Sequence, residues 1–134
     1  MKNLKGCIHD QKKHRFHRLN LQRCIVGLYT LIHIHFALTV VDTTTCALHW
    51  ELGGDPIKLD TTIMSENVLA VNMIAASLLG YGIDEVRQLK IASESGLGPT
   101  NMEEIKVYNS LDTETRKMVV NASQKKDRNI NYEI

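Results

Sequence analysis

The sequence predicts an α/β fold, with a small mixed or parallel sheet and flanking helices. The chain of 134 residues has the length of one domain. Its hydrophobic fraction of 43% and charged fraction of 23% are those of a globular protein rather than a disordered one. Segments with apolar residues at helical spacing are interspersed with short runs rich in β-branched residues. This mixed order is typical of a layered α/β domain.

The first third of the chain predicts one helix followed by one strand. A polar start, which we expect to be irregular, precedes apolar residues at helical spacing over residues 16–32, where Gly27 weakens the predicted helix. The run of apolar and β-branched residues over 36–41 predicts a buried strand that ends at Asp42. Residues 43–45 are expected to begin a loop.

The remaining elements are punctuated by turn and cap signals. Gly-Gly-Asp-Pro at residues 53–56 predicts a turn, and alternation over 57–64 predicts a second strand. Ser65 is placed to cap a helix that Gly80 ends. Three elements follow: a helix from Asp84 to Gly96, a strand at residues 105–108, and a weak charged helix through about residue 120.

A membrane span is the alternative reading of residues 24–41. These eighteen residues carry no formal charge and follow basic residues, as a transmembrane helix would. However, His33 and His35 lie inside the stretch, and the apolar spacing changes from helical to strand-like at Phe36. A helix leading into a buried strand has the same composition. We therefore favour a cytoplasmic protein over a membrane-anchored one.

The charge of the chain is unevenly distributed. Residues 1–23 contain seven Lys and Arg against one Asp, a balance of +6, and the remaining residues contain nine against fourteen, a balance of −5. Such a basic segment either steers an anion or forms a solvated surface. The net charge of only +1 and the aromatic content of 5% argue against nucleic-acid binding.

The cysteines do not form a metal or disulfide pattern. Cys7, Cys24 and Cys46 are odd in number and far apart, and no C-x-x-C pair occurs. His33 and His35 would share one face of a strand, but no third ligand lies nearby in the sequence, so a structural role is favoured. We expect free thiols, no metal site and no cofactor in this chain.

Several motifs occur in an order similar to that of one known family. They are the Lys-Asn-Leu-Lys-Gly-Cys segment at Lys2–Cys7 and the segments at residues 15–18, 39–42, 54–60 and 65–98. Over residues 1–108 the sequence resembles the C-terminal half of the domain-of-unknown-function family 362. The resemblance implies an incomplete α/β domain at residues 1–109 that lacks its N-terminal half, followed by a charged helical or frayed tail at residues 110–134.

The resemblance also bears on chemistry. Some family members are fused to ferredoxin-like iron–sulfur modules, which implies a redox connection in which any cluster would sit on a partner. Two features depart from the family. Residues 43–51 contain no glycine where the family has a glycine-rich loop, and Val71-Asn72 stands where the family often has Val-Asp. Both departures predict that this chain has no independent catalytic activity.

The predicted ligand-binding residues are Lys5, His17 and Asp42. Asp42 follows a strand that we expect to be parallel, and ligands bind beyond the carboxyl ends of such strands. Lys5 and His17 match family positions and would supply charge there.

Two functions remain open at this point. One is a non-catalytic fragment that self-associates, or binds the missing N-terminal half, through an exposed apolar sheet edge or face. The other is a ligand-binding or redox-associated subunit that a separately encoded half or a ferredoxin-like partner completes.

Overall fold

A computed structural model describes residues 1–48 and 53–108 of the chain. Within these residues, helices flank two small strand pairs, which confirms the α/β class. The helices are α1 (Asp10–Arg18), α2 (Leu21–Ile32), α3 (Val68–Leu78) and α4 (Arg87–Glu94). The strands are β1 (Thr39–Asp42), β2 (Thr45–Leu48), β3 (Asp55–Lys58) and β4 (Thr62–Ser65). Short 3-10 turns occur at Lys2–Cys7, His33–His35, Ile83–Glu85 and Met102–Glu104.

The first predicted helix is two helices, and the start of the chain is not irregular. A 3-10 turn and α1 form the N-terminal segment, and the chain breaks before α2 at Asn20. Asn20 has φ 66°, in the left-handed region that Asn adopts more readily than most residues. Its side chain accepts a hydrogen bond of 3.3 Å from the backbone N–H of Arg23 and so caps the start of α2. One residue therefore ends the first helical segment and begins the second.

The strands pair in two antiparallel ladders. β1 pairs with β4, from Thr39 opposite Ser65 to Asp42 opposite Thr62. β2 pairs with β3 in the same sense. The predicted mixed or parallel sheet is therefore wrong in strand direction. Parallel neighbours need a crossover of about a dozen residues or more, which the short connection between β2 and β3 cannot provide. The β1–β4 ladder continues the same antiparallel pairing beyond residues 43–44 and 59–61.

A bulge interrupts the second predicted strand. Between the two ladders, Thr43 and Thr44 lie opposite three residues, 59–61, so one residue is extra. Asp60 accommodates the extra residue by adopting a backbone φ of 47°. The backbone N–H groups of Leu59 and Asp60 both donate to the Thr44 carbonyl, at 3.0 and 3.3 Å. The bulge divides the predicted strand into β3 and β4.

Helix α3 is the centre of the fold. It contains no charged residue and none of its residues is exposed. It packs on α4 and on both strands of the β1–β4 ladder. A helix that is apolar all round is stable only where neighbours cover several of its faces. The core cluster, to which α3 itself contributes, consists of nine buried side chains: Met1, Ile25, Val26, Tyr29, Val68, Leu69, Met73, Leu89 and Ala92.

The helix ends are close to those predicted, with one correction at each start. Asn67, not Ser65, caps α3, accepting from the N–H of Ala70 at 3.0 Å, while the Ser65 hydroxyl accepts from the N–H of Asn67. Gly80 follows the end of α3 with φ 79°, as expected of a helix stop. The helix expected from Asp84 begins as a 3-10 turn, and α4 starts later.

The strand predicted at residues 105–108 does not form. The Asn101 side chain accepts from the N–H groups of Glu103 and Glu104, which fixes a 3-10 turn just before this segment. Ile105 then packs, half-buried, against the core. A strand needs a neighbour to pair with, and none of the described strands lies beside this segment. The predicted tail at residues 110–134 lies outside the described residues.

The apolar stretch at residues 24–41 is not one helix. Helix α2 ends at Ile32, a 3-10 turn follows, and β1 begins at Thr39. Among the residues described, no helix combines the length and the apolar character that crossing a bilayer requires.

Candidate functional site

Two of the three predicted ligand-binding residues meet in space. Lys5 lies in the first 3-10 turn and His17 in α1, and Lys5 Nζ lies 3.1 Å from His17 Nε2. A lysine ammonium can only donate, so His17 Nε2 accepts, and the imidazole is the neutral tautomer with its proton on Nδ1. The contact leaves the ammonium with further N–H donors and His17 with one N–H donor. Both groups can therefore donate to an anion.

The surroundings of this pair are basic. The only acidic residue before Asp42 in the sequence is Asp10. Arg15, Arg18 and Leu19 are exposed and share one side of the helical segment, since the N–H of Leu19 still bonds to the carbonyl of Arg15. Leu19, which follows both cations along the segment, is 65% exposed. We call Arg15, Arg18 and Leu19 the basic face.

The third predicted residue, Asp42, has a local structural role. Its Oδ1 accepts from the backbone N–H of Thr44 at 2.8 Å and from the Thr44 hydroxyl at 2.5 Å. These two bonds hold the pKa of Asp42 below its ordinary value, and the bond from the hydroxyl has the larger effect. Within the described residues no hydrogen bond joins Asp42 to Lys5 or His17. Because β1 is antiparallel to β4, the strand-end argument for a ligand site at Asp42 does not apply.

The three cysteines and His33, for which the sequence predicted no metal site, lie on separate elements. Cys7 ends the first 3-10 turn and is exposed, while Cys24 in α2 and Cys46 in β2 are half-buried. Burial, and after it the charge of Asp42, raises the pKa of the Cys46 thiol, which keeps it protonated and unreactive. His33 lies in a 3-10 turn rather than a strand, and its Nδ1–H donates to the Thr30 carbonyl at 2.9 Å. The described residues contain no group of three metal-ligating side chains.

The position at which the family often has an aspartate also has a structural role here. The Asn72 amide nitrogen donates to the Val68 carbonyl at 2.7 Å within α3. Its amide oxygen accepts from the amino group of Met1 at 3.0 Å. Both ends of the side chain therefore join structural groups, and the amide has no charge with which to act as a base.

An apolar sheet face of the kind expected from the sequence lies on the β1–β4 ladder, although its residues were not predicted. In the β1–β4 ladder, Val40 lies opposite Met64, and these side chains are 55% and 61% exposed. Their neighbours Asp42 and Thr62 share the same side of the ladder and are exposed as well. We call these four residues the outer sheet face. The alternating side chains point the other way, toward α3, and are half-buried.

The margin of the outer sheet face carries an apolar residue and an acid. Leu38, just before β1, is 54% exposed, and Glu66, just after β4, is exposed. The last pair of the ladder at this end is Thr39 opposite Ser65. If the same register continued by one residue, Leu38 would lie opposite Glu66. With Asp42, the face thus has an apolar centre and acidic groups at both ends. The signal for it was present in the alternation of both strands, but a run of apolar residues also fits a strand that is buried on both sides.

A family model described as a domain of unknown function (DUF362) matches residues 1–77. The match begins at the first residue and ends within α3, so the resemblance noted for residues 78–108 stays a prediction. Neither a curated protein nor a solved structure gives a significant match.

Proposed function

This chain belongs to the DUF362 family, and we propose that it is a non-catalytic assembly unit that associates with other polypeptides, copies of itself among them, through its outer sheet face. The observation that carries the proposal is the Val40–Met64 pair, two large apolar side chains exposed side by side on the ladder. Single exposed apolar residues are ordinary, but a pair continued by Leu38 forms a contiguous patch. Such patches mark contacts with other proteins.

The architecture around the pair supports the same function. Two strands are a small cover for a helix that is apolar on every side, and Ile74, Ala75 and Leu78 of α3 are only half-buried. Among the described residues no third strand pairs with the ladder on either side. Unpaired strand edges readily accept further strands. A polypeptide placed here would cover both apolar side chains and backbone groups.

The residues at the family's chemical positions support a non-catalytic role. Asp42 is engaged by Thr44, and Asn72 joins two structural groups where the family often has a carboxylate. Residues 43–51 lack the glycines that would bring backbone N–H groups against an anion. The chain would thus contribute binding surface and leave chemistry to another subunit.

Self-association of the purified chain tests this proposal. Size-exclusion chromatography with light scattering over a concentration series should show a mass above that of one chain. The double variant Val40→Thr/Met64→Gln should reduce the association constant by about tenfold or more, because it removes the exposed apolar pair. Leu31→Gln, at a still more exposed apolar position on α2, is the control and should associate like the wild type. A wild-type chain that stays monomeric at every concentration would overturn the proposal.

A second candidate, ligand binding, is favoured by the Lys5–His17 contact. Two donors of the basic segment converge there, and Asp42 would take part only if its loop rearranged. In this alternative the ligand is a small anion, and any iron–sulfur cluster would be held by a ferredoxin-like or separately encoded partner. Titration with inorganic phosphate, followed by NMR, should shift the amide signals around Lys5 and His17. Lys5→Gln should abolish the shifts, whereas Lys106→Gln, which removes an exposed cation elsewhere, should not.

A further inference from the structure

We infer that the polypeptide on the outer sheet face is a second copy of this chain, which docks through its basic face. The inference rests on the proposed function and adds the identity of the partner and the surface the partner uses. One molecule offers Val40 and Met64, and the next covers them with Leu19, which Arg15 and Arg18 precede on the same side of the helical segment. The contact is therefore head to tail.

The two faces are complementary in polarity. The outer sheet face has an apolar centre, with Asp42 at one end and Glu66 beyond the other. The basic face has one exposed leucine with two arginines on the same side of the helical segment. When the apolar parts meet, the arginines of one molecule and the acidic residues of the other enter the same interface, where opposite charges attract. Arginine forms planar, two-pronged hydrogen bonds with carboxylates, which fixes the orientation of such a contact.

The charge distribution of the whole chain favours a second copy over an unrelated partner. Residues 1–23 have a balance of +6 and the rest of the chain a balance of −5. Among the described residues 39–48 and 53–66, four are acidic and only Lys58 is a lysine or arginine. The basic segment of one molecule and the ladder of another therefore attract each other, whereas two ladders, or two basic segments, repel. Electrostatic complementarity of this kind selects partners and orientation.

The geometry determines what kind of assembly forms. Two different patches make a heterologous contact, which leaves one free patch of each kind on every pair of molecules. Addition then continues until a ring closes or a chain of molecules results. A symmetric dimer, in which two outer sheet faces meet, would stop at two molecules.

Two variants, each altered in one face, test the inference by sedimentation velocity. Arg15→Gln/Arg18→Gln/Leu19→Ser removes the basic face, and Val40→Thr/Met64→Gln removes the outer sheet face. For each variant alone, the association constant should fall by about tenfold or more. An equimolar mixture should form a complex of two chains and no larger species, because it contains one intact pair of faces. Arg87→Gln/Lys106→Gln, which removes two cations elsewhere, should assemble like the wild type. Circular dichroism checks the fold of every variant.

The outcomes separate this inference from the proposed function. If the outer-face variant loses association while the basic-face variant keeps it, the result supports the outer sheet face as a docking surface and contradicts the head-to-tail contact. If the mixture assembles no further than either variant alone, the inference is overturned as well. A monomeric wild type overturns the proposed function itself. Raising the salt concentration should weaken head-to-tail assembly, because the Debye length falls from about 10 Å at 0.1 M to about 3 Å at 1 M. Assembly that strengthens with salt would contradict the role of the arginines.

Discussion

Asp42 shows how one residue can be held in place by its own loop. The Thr44 hydroxyl and backbone N–H both donate to the Asp42 carboxylate, and they stabilise its charged form. Thr44→Val removes the hydroxyl bond alone, so we expect the pKa of Asp42 to rise toward its ordinary value. Carbon-detected NMR titration of the carboxyl group measures this. Thr45→Val, next along the chain, is the control and should leave the titration unchanged.

The sign of the pH effect follows from the direction of the shift. Because folding lowers the pKa of Asp42, the folded chain binds this proton less readily than the unfolded chain. The stabilisation is therefore present above the unfolded pKa and is lost as the pH falls through the folded pKa. The acid side of the stability profile should flatten in the Thr44→Val variant. An Asp42 that titrates in its ordinary range in the wild type would contradict the loop geometry.

Asp60 is the second residue whose conformation decides local structure. Its φ of 47° lies in the left-handed region, which asparagine, aspartate and glycine tolerate best. Asp60→Ala should therefore lower the free energy of unfolding by about 1 kcal/mol, and Asp60→Gly should lower it less. Chemical denaturation measures both. The ion pair with Lys58 is exposed and contributes little, so Lys58→Ala should be nearly neutral.

At the scale of elements, the start of α3 and the loop after α4 depend on one another. The Asn67 side chain caps α3 and donates to the carbonyl of Leu97 at 3.4 Å. A Cβ on Gly98 would lie 2.8 Å from the Asn67 amide oxygen and 3.1 Å from Leu69 Cβ. Gly98→Ala should displace the cap, and we expect a loss of about 1 kcal/mol or more in unfolding free energy.

The matched control is a glycine with free space around it. Gly27 lies within α2, is exposed, and a Cβ there would meet no atom within 4 Å. Gly27→Ala should raise the free energy of unfolding by about 0.5–1 kcal/mol, because alanine favours the helix over the unfolded chain. Equal effects of the two substitutions in thermal or chemical unfolding would show that Asn67 does not depend on the space at Gly98.

Periodicity predicted only some of the elements: it missed α1 and β2, and it predicted a strand at residues 105–108 that does not form. The apolar spacing correctly indicated α2 and α3, and Gly80 correctly ended α3, because both signals are local. The break at Asn20 and the bulge at Asp60 depend on backbone conformations that a polar residue reaches only with the help of its neighbours. Strand direction was wrong for another reason, since alternation does not encode which strands pair.

The candidate site was predictable only where chain neighbours determine it. Lys5 and His17 were selected through the family resemblance, and their contact follows from the packing of the first turn on the helices after it. The outer sheet face could not be derived from Val40 or Met64 alone. Each belongs to an apolar run, and only the pairing of β1 with β4, with α3 behind them, leaves this side of both strands open.

At the scale of the whole molecule, stability should decrease along the ladder away from α3. The β1–β4 ladder packs on α3, whereas β2 and β3 contact each other and touch other described elements only slightly. Strand pairs without a packed face are marginally stable on their own. Native-state hydrogen exchange should therefore show α3 amides opening only with global unfolding and β2–β3 amides opening locally at a much lower free energy. Because the outer sheet face lies on the better-supported ladder, its amides should keep intermediate or high protection even in a monomeric variant. If β1–β4 amides instead exchanged as fast as those of β2–β3, the face would not be preformed, and docking would have to order it first.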